Sequence, residues 1–182
     1  MPSDKDRLYI ALYAQGGQPR MPGLEDKYHW AIVVFPKGQE PDSKGTMFHV
    51  RDRVTKVDDR SQSSWQFEER STTMELTSML LVRVLVGKVA NLERMKSVLR
   101  STDIKATQPD WNCVFWVKEA LQGLEKNGKA LGRSKVDWVS VRDAAMQYVE
   151  RKKLQHRFDG QGNFDVSKVA TWDLIEGREV VP

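Results

Sequence analysis

Apolar residues fall in short unbroken runs over the first half of the chain and at helical spacing over the second. Leu8-Tyr-Ile-Ala-Leu-Tyr-Ala14 is apolar and β-prone, and the glycines and prolines of Gln15–Gly23 end it in turn chemistry. Tyr28-His-Trp-Ala-Ile-Val-Val-Phe35 reads as a second strand, stopped by Pro36-Lys-Gly38, and Thr46–Val50 as a third. The pattern predicts an antiparallel hairpin from these two, joined through Gln39–Gly45 by a loop of about ten residues, longer than the commonest turns. Ser64-Trp-Gln-Phe-Glu68 alternates bulky and polar residues as a half-buried strand does. Leu80–Val86 is rich in β-branched residues, with Gly87 at its end.

Three helices follow. Asn91–Leu99 places Leu92, Met95, Val98 and Leu99 on one face behind an Asn91 cap. Val114–Leu124 repeats Val114, Val117, Leu121 and Leu124, with Gly128 where a helix stops. Ser140–Val149 is read as a third, capped by Ser140. Residues 1–6 read as a frayed end. Residues 157–182 carry Gly160, Gly162, Gly177 and Pro182 with scattered anchors such as Phe164 and Trp172, and are expected as an extended tail packed on a single domain of residues 1–156. Strands first and helices after give the α+β class, with an antiparallel sheet of about five strands packed against helices.

Composition narrows the setting. The 182 residues are 40% hydrophobic and 30% charged, a globular balance. No apolar run approaches the roughly 20 residues of a membrane-spanning helix, and Arg83 interrupts the longest. The polar start Met-Pro-Ser-Asp-Lys-Asp-Arg lacks the apolar stretch of a secretory signal. One cysteine forms no internal disulfide and no cysteine-based zinc site, so a reducing, cytoplasmic location is expected. Lys+Arg number 29 against 25 Asp+Glu. Acidic residues interleave with the basic ones almost everywhere, which argues against a nucleic-acid partner. The Arg151-Lys-Lys153 run reads as a solvated helix end, and Asp58-Asp59 and Glu68-Glu69 as surface charge pairs. No metal-ligand spacing, phosphate-binding loop or nucleotide fingerprint is present, so no cofactor is expected.

Chemistry concentrates in Asp110-Trp-Asn-Cys-Val-Phe-Trp-Val117. With Asn112 as N-cap, Cys113 opens a helix, where free N–H groups and the positive end of the dipole favour thiolate and could hold an oxyanion. A small buried hydrophobe is the competing reading of a lone cysteine beside Val114, Phe115 and Trp116. His29 opens the second strand and His49 lies near the end of the third, so a hairpin brings both imidazoles to one sheet edge if the register allows. Imidazole can take the thiol proton and return it to a leaving group, and a second histidine can hold it in orientation. His156 reads as a surface residue.

This order, a histidine opening a strand (Tyr28-His-Trp-Ala-Ile-Val-Val), a polar residue on the next (Phe48-His-Val) and Asn112-Cys113 opening a later helix, resembles the circularly permuted branch of the papain-like, NlpC/P60-type superfamily. That branch includes lecithin:retinol acyltransferase-like enzymes and PPPDE isopeptidases. The chain as a whole also resembles a group of uncharacterised fungal proteins of similar length. Over residues 8–128 the resemblance implies a permuted papain-like core, Cys113 as nucleophile, His29 as general base and acid, and His49 as orienting residue. Val114-Phe115-Trp116 stands where the acyltransferases carry a polar or histidine residue. Tyr28, Trp30, Trp111, Asn112 and Trp116 are candidates to line the substrate site, though tryptophans packing a helix on a sheet fit the same pattern. The expectation is a cysteine hydrolase or acyl/amide-transferring enzyme taking a small molecule or peptide, monomeric or weakly dimeric. The alternatives are a non-catalytic binding module of the same fold, a PPPDE-type isopeptidase and, more weakly, a basic RNA-associated factor.

Overall fold

A computed structural model describes residues 5–38, 42–73 and 79–182. The first four residues of the expected frayed end and residues 39–41 of the expected hairpin loop lie outside the described residues.

Among the described residues, eight strands form one mixed sheet: β1 (Arg7–Ala14), β2 (Tyr28–Phe35), β3 (Lys44–Val57), β4 (Arg60–Thr73), β5 (Leu80–Val89), β6 (Leu131–Ser134), β7 (Ala170–Asp173) and β8 (Arg178–Val181). Their order is β4-β3-β2-β1-β5-β7-β8, with β6 also paired to β5. The expected antiparallel sheet of about five strands is therefore corrected. The five early runs all form strands, but three short segments extend the sheet, and β7 runs parallel to β5 in a register from Val82↔Ala170 to Leu85↔Asp173. Four-residue strands carry too little alternation to stand out in a sequence.

Residues 157–182 likewise do more than pack on a finished domain. Val169, Ala170, Thr171 and Asp173 are buried, and the tail supplies β7 and β8. Two buried basic residues hold this region, Lys152 from the run that read as a solvated helix end and Arg83 from the middle of β5. Lys152 is buried, with its Nζ 2.5 Å from Glu179 on β8. Buried Arg83 donates from Nε to Thr171 Oγ1 at 2.7 Å.

Helices α1 (Leu92–Arg100), α2 (Cys113–Asn127) and α3 (Trp138–Leu154) cover one face of the sheet. Asn91 and Asn112 cap α1 and α2 through their side chains, and α2 ends at Gly128 with φ 67°. The cap of α3 is Asp137 rather than Ser140, because Asp137 accepts the Ser140 N–H at 3.0 Å.

Strand alternation sorts the core. Leu8, Ile10 and Leu12 of β1, with Tyr28, Trp30 and Ile32 of β2, pack toward the helices. Tyr9, Ala11, Ala31, Val33, Phe35 and Met47 pack on the opposite face, with Tyr13 against them. Both faces of β2 are covered, which explains its unbroken apolar run.

The third and fourth strands are longer than their apolar cores. They pair over fourteen residues from Lys44↔Thr73 to Val57↔Arg60, far beyond the short β2–β3 ladder of Ile32↔Phe48 to Val34↔Thr46. Asp58 and Asp59, with φ of 50° and 60°, form the two-residue turn, a conformation Asp tolerates better than most residues.

Candidate functional site

The register of β1 and β2 sets Tyr13 opposite His29, and the β3–β4 register sets His49 opposite Glu68. These four side chains meet on the sheet face turned away from the helices. His29 Nε2 lies 2.7 Å from His49 Nδ1, with the rings edge to face at 4.9 Å. The far nitrogen, His49 Nε2, lies 3.0 Å from Glu68 Oε2. Arg51 and Arg53 flank the same carboxylate, with Arg51 Nε 3.2 Å from Oε2. Tyr13 stands 6.0 Å from the His29 ring, centroid to centroid.

Electrostatics keep both imidazoles neutral at physiological pH. Burial, then the His49, Arg51 and Arg70 charges, push His29 down to about 4. Burial also lowers His49, outweighing the bond and charge of Glu68. Partial burial pushes the Glu68 carboxyl up, but the hydrogen bond with His49 and the Arg51 charge outweigh it and hold it below the usual carboxylate range. Reading Glu68-Glu69 as a surface pair missed this. The alternation of Trp65 and Phe67 against Glu68 carries the signal only once β3 is known to pair with β4 along its whole length.

Cys113 opens α2 and lies in the helix-side core, almost fully buried. Burial pushes its thiol up to about 11; the N–H groups of Trp30, Cys113 and Val114 act in the opposite direction, and the Asp26 charge adds to the rise. The Trp30 N–H belongs to the residue directly after His29, so the sulfur reaches the backbone of β2 beside the first histidine. The β2–β3 ladder starts only at Ile32↔Phe48, leaving that stretch of β2 unpaired on the β3 side. The structure thus joins His29 to His49 and brings Cys113 to the adjoining backbone. No hydrogen bond joins the sulfur to either ring among the described residues.

The other expected site residues divide. Asn112 Oδ1 accepts the Val114 N–H at 2.9 Å, and its Nδ2 donates to Met21 Sδ at 3.6 Å. Asn112 and Trp111 border a cleft of about 320 Å³ shared with Met21, Asp26 and Phe115. Trp111 also meets Trp65 edge to face at 5.8 Å. Trp30 and Trp116 are wholly buried and belong to the core: Trp30 donates from Nε1 to the Glu25 carbonyl at 2.8 Å, and Trp116 packs on Phe67. The helix-to-sheet seam claims both indoles, and neither borders the cleft beside Asn112. Tyr28 is directed to α3, where its hydroxyl donates to Glu150 Oε1 at 2.5 Å. It borders a separate cavity of about 330 Å³ with Lys27 and Lys153. His156 is exposed, with Nδ1 2.6 Å from Asp159 Oδ2. Among the described residues no group of three or more His, Cys, Asp or Glu could hold a metal ion, and no helix is long and apolar enough to cross a membrane.

A family model described as a family of unknown function, DUF6914, matches residues 5–181. The chain belongs to that family, and the match spans every element of the sheet and all three helices. Comparison with curated proteins and with solved structures gives no match.

Proposed function

We propose that the protein is a cofactor-independent cysteine hydrolase or acyl/amide-transferring enzyme that takes a small amide, ester or peptide through a thioester on Cys113. One observation carries this reading: a histidine pair backed by a carboxylate starts at His29 on β2, the strand that α2 packs against and whose Trp30 N–H acts on the Cys113 thiol at the start of that helix. The order of His29, His49 and Asn112-Cys113 along the chain, which resembles permuted papain-like enzymes, agrees with it. Cys113 Sγ forms a bond to the substrate carbonyl carbon while its proton passes to His29. The carbonyl electron pair moves to oxygen, held by N–H groups at the start of α2. Collapse expels the leaving group with the proton from His29, and water or an amine then cleaves the thioester. Both partners rest neutral, with the thiol near 11 and the imidazole near 4, so the proton moves as sulfur attacks rather than beforehand. Substrate enters from the cleft beside Asn112. The His29 ring lies on the opposite face of β2 from the sulfur, so proton transfer requires the two to meet past the start of β2, which β3 leaves unpaired, and entry requires Met21 to move off the Asn112 amide.

A panel of small esters, thioesters and amides tests the proposal, with mass spectrometry to capture an acyl adduct. The expected result is turnover and a Cys113 adduct in the native protein, both absent in Cys113→Ala. Turnover undiminished in that variant overturns the reading. Burial of the sulfur and its raised pKa favour a second reading, a binding module in which Cys113 is a packing residue. It expects no turnover and no Cys113 adduct with any panel member.

A further inference from the structure

We infer that Glu68 is a positioning residue that fixes the tautomers of both histidines and thereby makes Nδ1 of His29 the proton-accepting atom of the site. The proposal rests on the cysteine-enzyme reading for its catalytic meaning, but the tautomers themselves follow from hydrogen-bond bookkeeping alone. An ionised carboxylate only accepts, so the hydrogen between Glu68 Oε2 and His49 Nε2, 3.0 Å apart, sits on His49 Nε2. A neutral imidazole carries one N–H, which leaves a lone pair on His49 Nδ1. The 2.7 Å contact between that nitrogen and His29 Nε2 then requires the hydrogen on His29 Nε2. The remaining lone pair of His29 is on Nδ1, the nitrogen turned away from His49.

The ion pairs around Glu68 keep it in the accepting state. Arg51 Nε lies 3.2 Å from Oε2 and an Arg53 terminal nitrogen 3.9 Å from Oε1, so the carboxylate stays charged while it holds His49. The cascade does not depend on which state His29 is in. When His29 takes a proton on Nδ1 it keeps its Nε2–H bond to His49, and the new charge is felt through His49 by the Glu68 carboxylate. Without Glu68, His49 could turn its lone pair to either nitrogen, and His29 would be free to present Nε2–H or Nδ1–H in turn.

Long-range ¹H–¹⁵N spectra of the histidine rings in the full chain at neutral pH test this without substrate. His156 serves as an internal contrast, because its Nδ1 rather than its Nε2 faces a carboxylate, 2.6 Å away. The native protein is expected to show His29 and His49 each protonated on Nε2. Glu68→Ala is expected to spread both rings over two tautomers, and Glu68→Asp to restore the native pattern at least in part. Glu68→Gln covers the case in which the alanine variant does not fold. Its amide can donate as well as accept, so it too is expected to release the tautomers. A native spectrum with the hydrogen on His29 Nδ1, or folded Glu68 variants with unchanged ring signals, overturns the inference. Loss of the Cys113 reading through undiminished turnover in Cys113→Ala would leave these spectra as they are, so the two failures are distinguishable.

Discussion

Burying an imidazole beside two arginines has a cost that acid reveals. His29 titrates near 4 in the folded chain and near 6.5 when unfolded, so between those values the unfolded chain binds a proton that the folded chain refuses. Stability should therefore fall as pH drops from about 6.5 to 4, by on the order of 3 kcal/mol from this group, and level off below. Lowered His49 and lowered Glu68 act in the same direction. Urea unfolding at pH 7 and pH 4 measures the loss, and His29→Asn is expected to shrink it. A variant with the native acid loss would place the sensitivity elsewhere. At this scale the sequence was legible where local rules decide. Asn112 as a cap and Cys113 as the first helical residue follow from capping chemistry. The His29–His49 contact was legible as a possibility set by register. The partner carboxylate was not, because it is supplied by a strand nineteen positions after His49 whose pairing no local pattern announces.

The β2–β3 ladder is the element on which the histidine pair depends, and it is only three residue pairs long. Gly45 permits it. A Cβ at that position would overlap the Val34 carbonyl oxygen and the Phe35 ring of the neighbouring strand. Gly45→Ala is expected to destabilise the fold by about 1–3 kcal/mol and to weaken the His29–His49 contact, as overpacking against backbone does. Thermal unfolding gives the first effect and the ring ¹⁵N signals the second. A variant of native stability would show that β3 can slide without consequence. The long apolar strands and the two helices with clean caps were readable as elements. The outer parts of β3 and β4 were not. Beyond Val50 the residues of β3 are mostly polar, its Val54 and Val57 stand exposed, and the strand pairs there with an equally exposed stretch of β4, so burial, the property that hydrophobic patterning reports, is missing.

Across the whole molecule, the last segment is tied in by a charge rather than by apolar surface alone. Lys152 is buried on α3 and its ammonium meets Glu179 on β8 at 2.5 Å. Glu179→Ala should destabilise the protein by about 2–4 kcal/mol, since it strands a buried cation, whereas Lys152→Met combined with Glu179→Leu should recover most of the loss. Chemical denaturation of the native chain and the two variants decides it, and equal stability of the single and double variants would refute the role of the pair. The basic run around Lys152 gave no hint of this, because a helix end rich in lysine looks solvated until a strand from elsewhere lands on it. The placement of β7 carries one more consequence. Its partner β5 is made long before it, and the intervening chain must deliver all three helices and β6 before the parallel edge can be closed. Until then β5 offers an unsatisfied row of backbone groups, a template for self-association during slow, long-range assembly. Clipping the chain ahead of Ala170 would make that interval permanent, turning a transient hazard into a sticky, oligomer-seeding edge.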